Sequence, residues 1–274
     1  MKQTAFRLGV GMALAVAAVA AQADIVTATP DSNFINLLPG TSGSLSLSKL
    51  GLGLINVSQT RVVPGADGVT VDSSLKPGSS TQLDAVSING LSLQSVMFES
   101  SNGQVLQEQF GGAFKFTTPA GIFSEQGGAV TLSDLRIDFT TGTVYASLMG
   151  DHGVGLQQNL ALWTSTALGQ SQSVIGGLLV GAPGGLFGLP PAQAYLNMAN
   201  IVTTVSDLSF TTQGAALWAS SMGYSPLGNA ALSATTSLGS ISTAPVPETS
   251  TLGMMWLGLA GMALVARRAG TSRP

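Results

Sequence analysis

The sequence predicts an all-β body, either an antiparallel β-sandwich or a meander, with one or two short helices. Several stretches alternate apolar with small polar residues, as Gly43 to Leu54 largely does, and period two is typical of a strand with one buried face. Glycine is abundant, at 35 of 274 residues, and separates these stretches at turn-like positions. Charged residues make up only 8% of the chain, so packing and sheet hydrogen bonds must carry its stability.

The predicted strands follow one another through short turns. Asn89-Gly90 lies between two alternating stretches and is the strongest two-residue hairpin signal in the chain. Further hairpins are predicted around Ser101-Asn102-Gly103, Gly127-Gly128 and Thr140-Thr141-Gly142. A short helix is predicted from about Pro191 to Ile201, because proline suits the first helical position and apolar residues then recur every third position.

A partial repeat relates Leu132 to Gly150 with Val205 to Gly223. Each copy contains Ser-Asp-Leu, then Phe-Thr-Thr, then Ala-Ser before Met-Gly. We interpret both copies as hairpins whose second strand carries an aromatic residue, Tyr145 or Trp218. Chance similarity between simple strand sequences is the alternative.

The first 23 residues have the order of a secretory signal peptide. Lys2 and Arg7 precede an apolar run from Leu8 to Ala20, and Ala21-Gln22-Ala23 then forms an A-x-A cleavage site. A retained membrane anchor is the alternative, but this apolar run is too short to span a bilayer comfortably. Signal peptidase is therefore an expected partner, and residues 24–224 are predicted to form the exported body.

The chain ends in three ordered features. Residues 225–245 are rich in Ser, Ala, Thr and Gly, which predicts a flexible linker. Val246-Pro247-Glu248 follows, and then an uncharged run from Leu252 to Ala266 predicts a transmembrane helix over about 251–266. Arg267 and Arg268 end that run and favour a cytoplasmic end. A buried C-terminal helix is the alternative, although such a helix seldom ends in an arginine pair.

Residues 246–274 resemble the PEP-CTERM sorting signal of Gram-negative bacteria, in which a Val-Pro-Glu-Pro-like motif precedes a transmembrane helix and a basic cluster. Val246, Pro247 and Glu248 match the motif, and Thr249 departs from it where the family usually has proline. The resemblance implies a substrate of a membrane-embedded exosortase, anchored transiently in the inner membrane. Bacteria with this system usually make exopolysaccharide. The resemblance covers the last thirty residues or so and says nothing about the body.

Charge and composition exclude several classes of function. Between residues 24 and 245 there are five basic and twelve acidic side chains, a net charge of −7, so nucleic-acid binding is disfavoured. The chain has no cysteine, which excludes disulfides, thiolate metal sites and cysteine nucleophiles. Its single histidine, His152, follows Asp151 in a glycine turn, and one histidine cannot supply a zinc site. We expect no cofactor.

Carboxylates and aromatic residues are the remaining candidates for chemistry. Calcium is one hypothesis for the aspartates near turns, although solvation of the turns explains them better; they are Asp67, Asp72, Asp84, Asp134, Asp138, Asp151 and Asp207. Glu99, Glu108 and Glu125 are the candidates for a glycosidase pair, and the sequence gives no separation between them. Sugar stacking is an alternative for the aromatics outside the sorting helix, but core packing is the more common role of such tryptophans; they are Tyr145, Trp163, Trp218 and Tyr224.

Taken in order, these features favour a non-enzymatic exported protein of the envelope or extracellular matrix, associated with exopolysaccharide or a biofilm. A carbohydrate-binding module is the first alternative and would need exposed aromatic residues on one sheet face. A secreted hydrolase is the second, and would need a cleft with paired carboxylates.

Overall fold

The computed structural model describes residues 25–29, 41–99, 104–167 and 203–245. The helices are α1 (Lys49–Ser58), α2 (Thr212–Ser221) and α3 (Pro226–Ala234). The strands are β1 (Ile25–Ala28), β2 (Thr41–Leu47), β3 (Arg61–Pro64), β4 (Thr70–Leu75), β5 (Leu83–Glu99), β6 (Val105–Thr118), β7 (Gly128–Asp138), β8 (Thr143–Gly150), β9 (Gly155–Thr164), β10 (Thr203–Val205), β11 (Ser209–Phe210) and β12 (Gly239–Pro245).

All described strands belong to one antiparallel sheet. Its main path runs β10-β12-β2-β5-β6-β7-β8-β9-β11, with β1 and β4 on β5 and β3 on β6. The consecutive strands β5 to β9 form a meander, so the predicted antiparallel β architecture is confirmed. The described strands do not divide into the two sheets of a sandwich, and the described ranges hold three helices rather than one or two.

The core fills the inside of the curled sheet. Phe114 and Phe116 of β6 are fully buried, and Phe116 packs edge-on against Trp218 of α2 with ring centroids 4.9 Å apart. Phe210 continues the aromatic row from Trp218 to the fully buried Trp163 of β9. Helix α2 therefore closes one side of the core.

Asn89-Gly90 is not a hairpin turn, contrary to the prediction. Strand β5 continues through both residues, and Gly90 has a φ of 81°. Asn89 is the last position at which β5 pairs with β4, while Ser92 is the first at which it pairs with β6. A turn and a strand irregularity both favour glycine at positive φ, which explains why the dipeptide gave the wrong local structure.

The other predicted hairpins pair as expected. Strands β5 and β6 join across residues that include 100–103, which lie outside the described ranges. Strands β6 and β7 pair from Thr118 opposite Gly128. At the β7–β8 turn, the Asp138 carboxylate accepts hydrogen bonds from the backbone of Thr140 and Thr141, and Gly142 has a φ of 69°.

The two copies of the partial repeat fold differently. The first is the β7–β8 hairpin, but Thr211 of the second caps a helix, and Trp218 lies on α2 rather than on a strand. The Ser-Asp-Leu elements do share a local conformation, because Asp134 and Asp207 have φ angles of 51° and 55°. The two copies therefore share a positive φ at the aspartate of Ser-Asp-Leu, but they do not form two equivalent hairpins.

Residues 225–245, predicted as a flexible linker, contain α3 and β12. Ser225 caps α3, with Pro226 following it, and β12 pairs with both β2 and β10. A Cβ on Gly228 would lie 2.1 Å from the carbonyl oxygen of Phe123, so glycine here permits close packing. The small residues of this segment allow α3 and β12 to pack closely against neighbouring elements, so the segment is not the predicted flexible linker.

Other predicted segments lie outside the described residues: the signal peptide, the helix near Pro191 and the sorting helix over 251–266. In the portion of the chain that the structure describes, none of the helices has the length and apolar character needed to cross a membrane.

Candidate functional site

The most unusual polar group in the described body is the carboxyl of Glu108 on β6. It is fully buried and faces the β10–β12 pair across the inside of the sheet. Its Oε2 accepts hydrogen bonds from the Thr203 hydroxyl at 3.0 Å and from the Thr243 hydroxyl at 2.9 Å. These threonines are direct partners in the β10–β12 register. Oε1 has no hydrogen-bond partner among the described residues.

Burial determines the acidity of this carboxyl group. Desolvation raises the pKa of Glu108 from 4.5 to about 7, and the hydrogen bonds from Thr243 and Thr203 offset only part of that effect. Glu108 therefore changes its charge near neutral pH inside the body. The sequence held a signal for this position, because Glu108 precedes the fully buried Phe110 by two residues and so shares its strand face.

The three glutamates weighed as a glycosidase pair occupy different environments. Glu108 is enclosed, Glu125 is exposed in the β6–β7 connection, and Glu99 is the last residue of β5. A glycosidase needs two carboxyl groups that flank one sugar linkage in an accessible cleft. An enclosed Glu108 cannot take part in such a pair.

His152 lies beside a polar cleft of about 490 Å³ that Glu125, Tyr224 and Asn229 also line. Its Nε2 is 2.6 Å from the Gly127 carbonyl oxygen, so that nitrogen donates a hydrogen bond. His152 has a φ of 55°, and the hydrogen bond to Gly127 holds its ring against the β6–β7 connection. The contact joins that connection to the β8–β9 turn.

Several aspartates accept hydrogen bonds from neighbouring groups, and Asp138 does so from the backbone of its own turn. Asp72 accepts a hydrogen bond from the Asn89 side chain at 2.8 Å. Burial alone would raise the pKa of Asp138, but hydrogen bonds from Thr140 and Thr141 and the charge of Arg136 outweigh it and lower that pKa. Across the described ranges, His, Asp and Glu side chains nowhere gather in a group of three or more suited to a metal ion.

The aromatic residues do not form an exposed strip. Trp163 and Trp218 are buried, as the core interpretation of these tryptophans predicts. Tyr145 lies under the Arg136 guanidinium, 4.1 Å from its ring centroid. Tyr224 packs against the core, and burial raises the pKa of its hydroxyl group. The platform that a carbohydrate-binding module would need is absent at these four positions.

A groove of about 940 Å³ opens between β3 and β4, and we call it the β3–β4 groove. Val62 of β3 and Val71 of β4 line its walls, and Ile55 from the end of α1 also lines it. Asn56 fixes that helix end by exchanging two hydrogen bonds, at 2.8 and 2.9 Å, with the Leu83 backbone. Sequence reasoning missed this groove because it depends on the point at which β5 and β6 separate, and no local pattern predicts that point.

The residues predicted for processing lie outside the described ranges; they are Ala21, Ala23, Val246, Pro247, Glu248, Arg267 and Arg268. The described chain nevertheless ends at Pro245, directly before the motif, and Pro245 pairs with Thr41 at the start of β2. The sequence matches no protein-family model, and neither curated proteins nor solved structures give a significant match to it.

Proposed function

We propose that the chain is an exported, non-enzymatic protein of the cell envelope or extracellular matrix that an exosortase-type membrane enzyme processes near its C-terminus. The observation that carries this proposal is the order of three features: Val246-Pro247-Glu248, an uncharged run to Ala266, and Arg267-Arg268. The signal peptide, with cleavage after Ala23, supplies the matching export step.

The sorting helix holds the chain in the inner membrane during processing. Its uncharged stretch from Thr249 to Ala266 is eighteen residues, or roughly 27 Å of helix, close to the thickness of a hydrocarbon core. Arg267 and Arg268 keep the C-terminal end cytoplasmic. Pro247 disfavours helix at Val246, so the motif remains an extended substrate at the outer surface.

The position of β12 supports processing at the motif rather than earlier. β12 lies between β10 and β2, and its register extends to Thr243 on the β10 side and to Pro245 on the β2 side. A membrane enzyme needs an extended backbone that is free of such bonds. With the sorting helix starting at about 251, the five residues from Val246 to Ser250 reach at most roughly 18 Å, so the body sits at the membrane surface until release.

The released product is a β body with a net charge of −7 over residues 24–245. We place it in a matrix that also holds exopolysaccharide, as the resemblance implies. Its stability after cleavage does not depend on the sorting segment, because β12 and the core residue Ile241 lie on the retained side.

The test is fractionation of cells that produce the wild-type chain or either of two variants. A triple alanine variant at Val246, Pro247 and Glu248 removes the motif, and Leu259→Asp places a charge in the sorting helix. We expect the first variant to stay in the membrane fraction at full length. We expect the second to escape unprocessed, because the charge costs about 2.5–3.5 kcal/mol on insertion. Normal extracellular product from both variants would refute the proposal.

A further inference from the structure

The hydroxyl groups that bind Glu108 come from one end of the sheet. Strand β10 is the last strand of the main path, has three residues and pairs only with β12 among the described strands. Thr203 of β10 and Thr243 of β12 are register partners, and both donate to Oε2 of Glu108. The Glu108 carboxyl group is therefore held by strands at the end of the sheet path, not by its direct neighbours β5 and β7.

The remaining surroundings of this carboxyl group are apolar. In the register, Glu108 lies between Val96 of β5 and Ile137 of β7, and both are fully buried. Phe110, two positions further along β6, shares the strand face of Glu108 and is also buried. None of these three side chains can donate a hydrogen bond to Oε1, which has no partner within the described ranges.

No charged side chain faces Glu108 from the described strands packed around it. Strands β1, β2, β10 and β12 contain no ionisable residue. Glu99 adjoins an inward-facing residue of β5, and Arg136 and Asp138 adjoin an inward-facing residue of β7, so strand alternation turns these three away. The other ionisable residues of β5, β6 and β7 are exposed; they are Asp84, Lys115 and Asp134. A negative charge on Glu108 therefore has no compensating positive charge.

Ionisation of Glu108 is costly in this closed arrangement. A carboxylate whose Oε1 lacks a donor loses the hydrogen bonds that water would supply. Burial accordingly raises the pKa of Glu108 to about 7, against the two hydrogen bonds that lower it. Any local opening that admits water to the carboxyl group restores its ordinary acidity, so such an opening becomes more favourable as the pH rises.

The strands that bind the carboxyl group are also those that detach most easily. Strands β5, β6 and β7 are each paired along both edges, whereas β10 is paired along only one among the described residues. Gly43 of β2 is the partner of Thr243, and the register between β2 and β5 shifts directly after it, which disrupts the ladder locally. We call β10 together with residues 243–245 the terminal pair. Its detachment exposes Glu108 and leaves the β5–β9 meander intact.

We propose that Glu108 is a pH-dependent latch: loss of its proton to solvent favours detachment of the terminal pair, while the β5–β9 meander stays folded. In the more acidic range the neutral carboxyl group keeps the terminal pair in place. The terminal pair leads directly to Val246, so its detachment lengthens the free chain before the proposed sorting motif. This effect on processing rests on the proposed function, whereas the latch itself depends only on the folded body.

Hydrogen exchange measured by mass spectrometry tests the latch on the purified full-length chain in mild detergent, with no processing enzyme present. Dividing each exchange rate by the intrinsic rate at the same pH gives the fraction of time that an amide is open. We expect the open fraction of residues 203–205 and 243–244 to rise at least about tenfold from pH 5 to pH 8. At pH 8 it exceeds that of the β7–β8 hairpin by at least about tenfold, because the hairpin opens only with the whole body.

Matched variants assign this rise to Glu108. Glu108→Gln has no proton to lose, so the open fraction of its terminal pair is the same at both pH values. Glu125→Gln, at an exposed position, retains the wild-type rise. Addition of about 0.5 M urea leaves the open fraction of the terminal pair nearly unchanged, because local detachment exposes little surface.

Three results would overturn the proposal. These are an equal open fraction of the terminal pair at pH 5 and pH 8, an open fraction at pH 8 no larger than that of the β7–β8 hairpin, and the same rise in a folded Glu108→Gln variant. The first two are measured on the wild-type chain, so they decide the proposal even if the variant does not fold. A failure of processing in cells would leave all three results unaffected and would count against the proposed function alone.

Discussion

Thr243 donates a hydrogen bond of 2.9 Å to the buried carboxylate of Glu108, and thereby fixes β12 to the interior of the sheet. Val246, the first residue of the proposed sorting motif, follows Thr243 by three positions. The last strand of the body is thus held by the core almost up to the expected processing site. This relationship links the stability of the fold to the proposed function.

The first prediction concerns pH. The pKa of Glu108 is raised from 4.5 to about 7 in the folded protein, so the folded state binds more protons than the unfolded state between these values. The contribution of Glu108 to the free energy of unfolding is therefore most favourable below about pH 4.5, and it is lost as the pH rises to about 7. We expect a loss of about 3 kcal/mol in the free energy of unfolding across this window, measured by urea denaturation.

Glu108→Gln removes the titrating group and serves as the comparison for that measurement. The variant has no such loss between pH 5 and pH 8, so the difference from wild type isolates the contribution of Glu108. Glu125→Gln, at an exposed position, is the matched control and retains the wild-type profile. Identical profiles for wild type and Glu108→Gln would contradict the burial of this carboxyl group.

A second prediction concerns the hydroxyl groups that hold Glu108. Thr243→Val removes one donor to the carboxylate, and we expect about 1–3 kcal/mol of destabilisation at pH 8. Because that hydrogen bond lowers the pKa of Glu108, the pH-dependent loss also moves to higher pH. Thr243→Ser keeps a hydroxyl and retains most of the stability. An equal effect of valine and serine would show that the hydrogen bond is unimportant.

A third prediction concerns the opening between β5 and β6. Gly90 and Gly68 have nearly equal φ angles, 81° and 83°, but a Cβ on Gly90 would lie 2.1 Å from the Gly68 carbonyl oxygen, whereas a Cβ on Gly68 meets nothing within 4 Å. Gly68→Ala costs about 1 kcal/mol through its backbone conformation alone. Gly90→Ala adds a backbone clash and destabilises substantially more. Equal denaturation midpoints would contradict the close approach.

A fourth prediction concerns the helix that the sequence did not reveal. Trp218 is buried on α2 against Phe116, so Trp218→Ala costs about 3–5 kcal/mol of unfolding free energy. Ser220→Ala, on the exposed face of the same helix, changes the stability by less than about 0.5 kcal/mol. Similar denaturation midpoints for both variants would place Trp218 outside the core.

The sequence was sufficient to predict the class of fold, but not which strands pair with which in the sheet. Alternation between small polar and apolar residues predicted the antiparallel strands of the meander because it reflects a local period. The Asn89-Gly90 dipeptide predicted a hairpin turn, which was wrong, because pairing with β4 on one side and β6 on the other keeps β5 continuous through Gly90 at a φ of 81°. Trp218 was predicted to lie on a strand, but it lies on α2. There it packs against Phe116 of a distant strand, and no local pattern in the sequence predicts that contact.

Composition misled the interpretation of residues 225–245. Small residues there predicted flexibility, yet a Cβ on Gly239 would lie 2.1 Å from the Ser46 carbonyl oxygen, so close strand packing requires glycine. Ile241 is buried and alternates with serine and threonine, a strand signal too short to stand out in such a sequence. The β3–β4 groove has no local signal at all, since β5 and β6 create it by separating.

The central claim is that the chain is exported and then cut at or after Val246. Mass spectrometry of both termini of the extracellular protein tests it most directly, in cells with and without the exosortase-type enzyme. When the enzyme is present, we predict that the mature chain begins at Asp24 and lacks Arg267, Arg268 and the rest of the C-terminal tail. Without the enzyme, we predict that the chain keeps this tail and stays in the membrane fraction. An extracellular protein that retains Arg273-Pro274 in both strains would contradict the account.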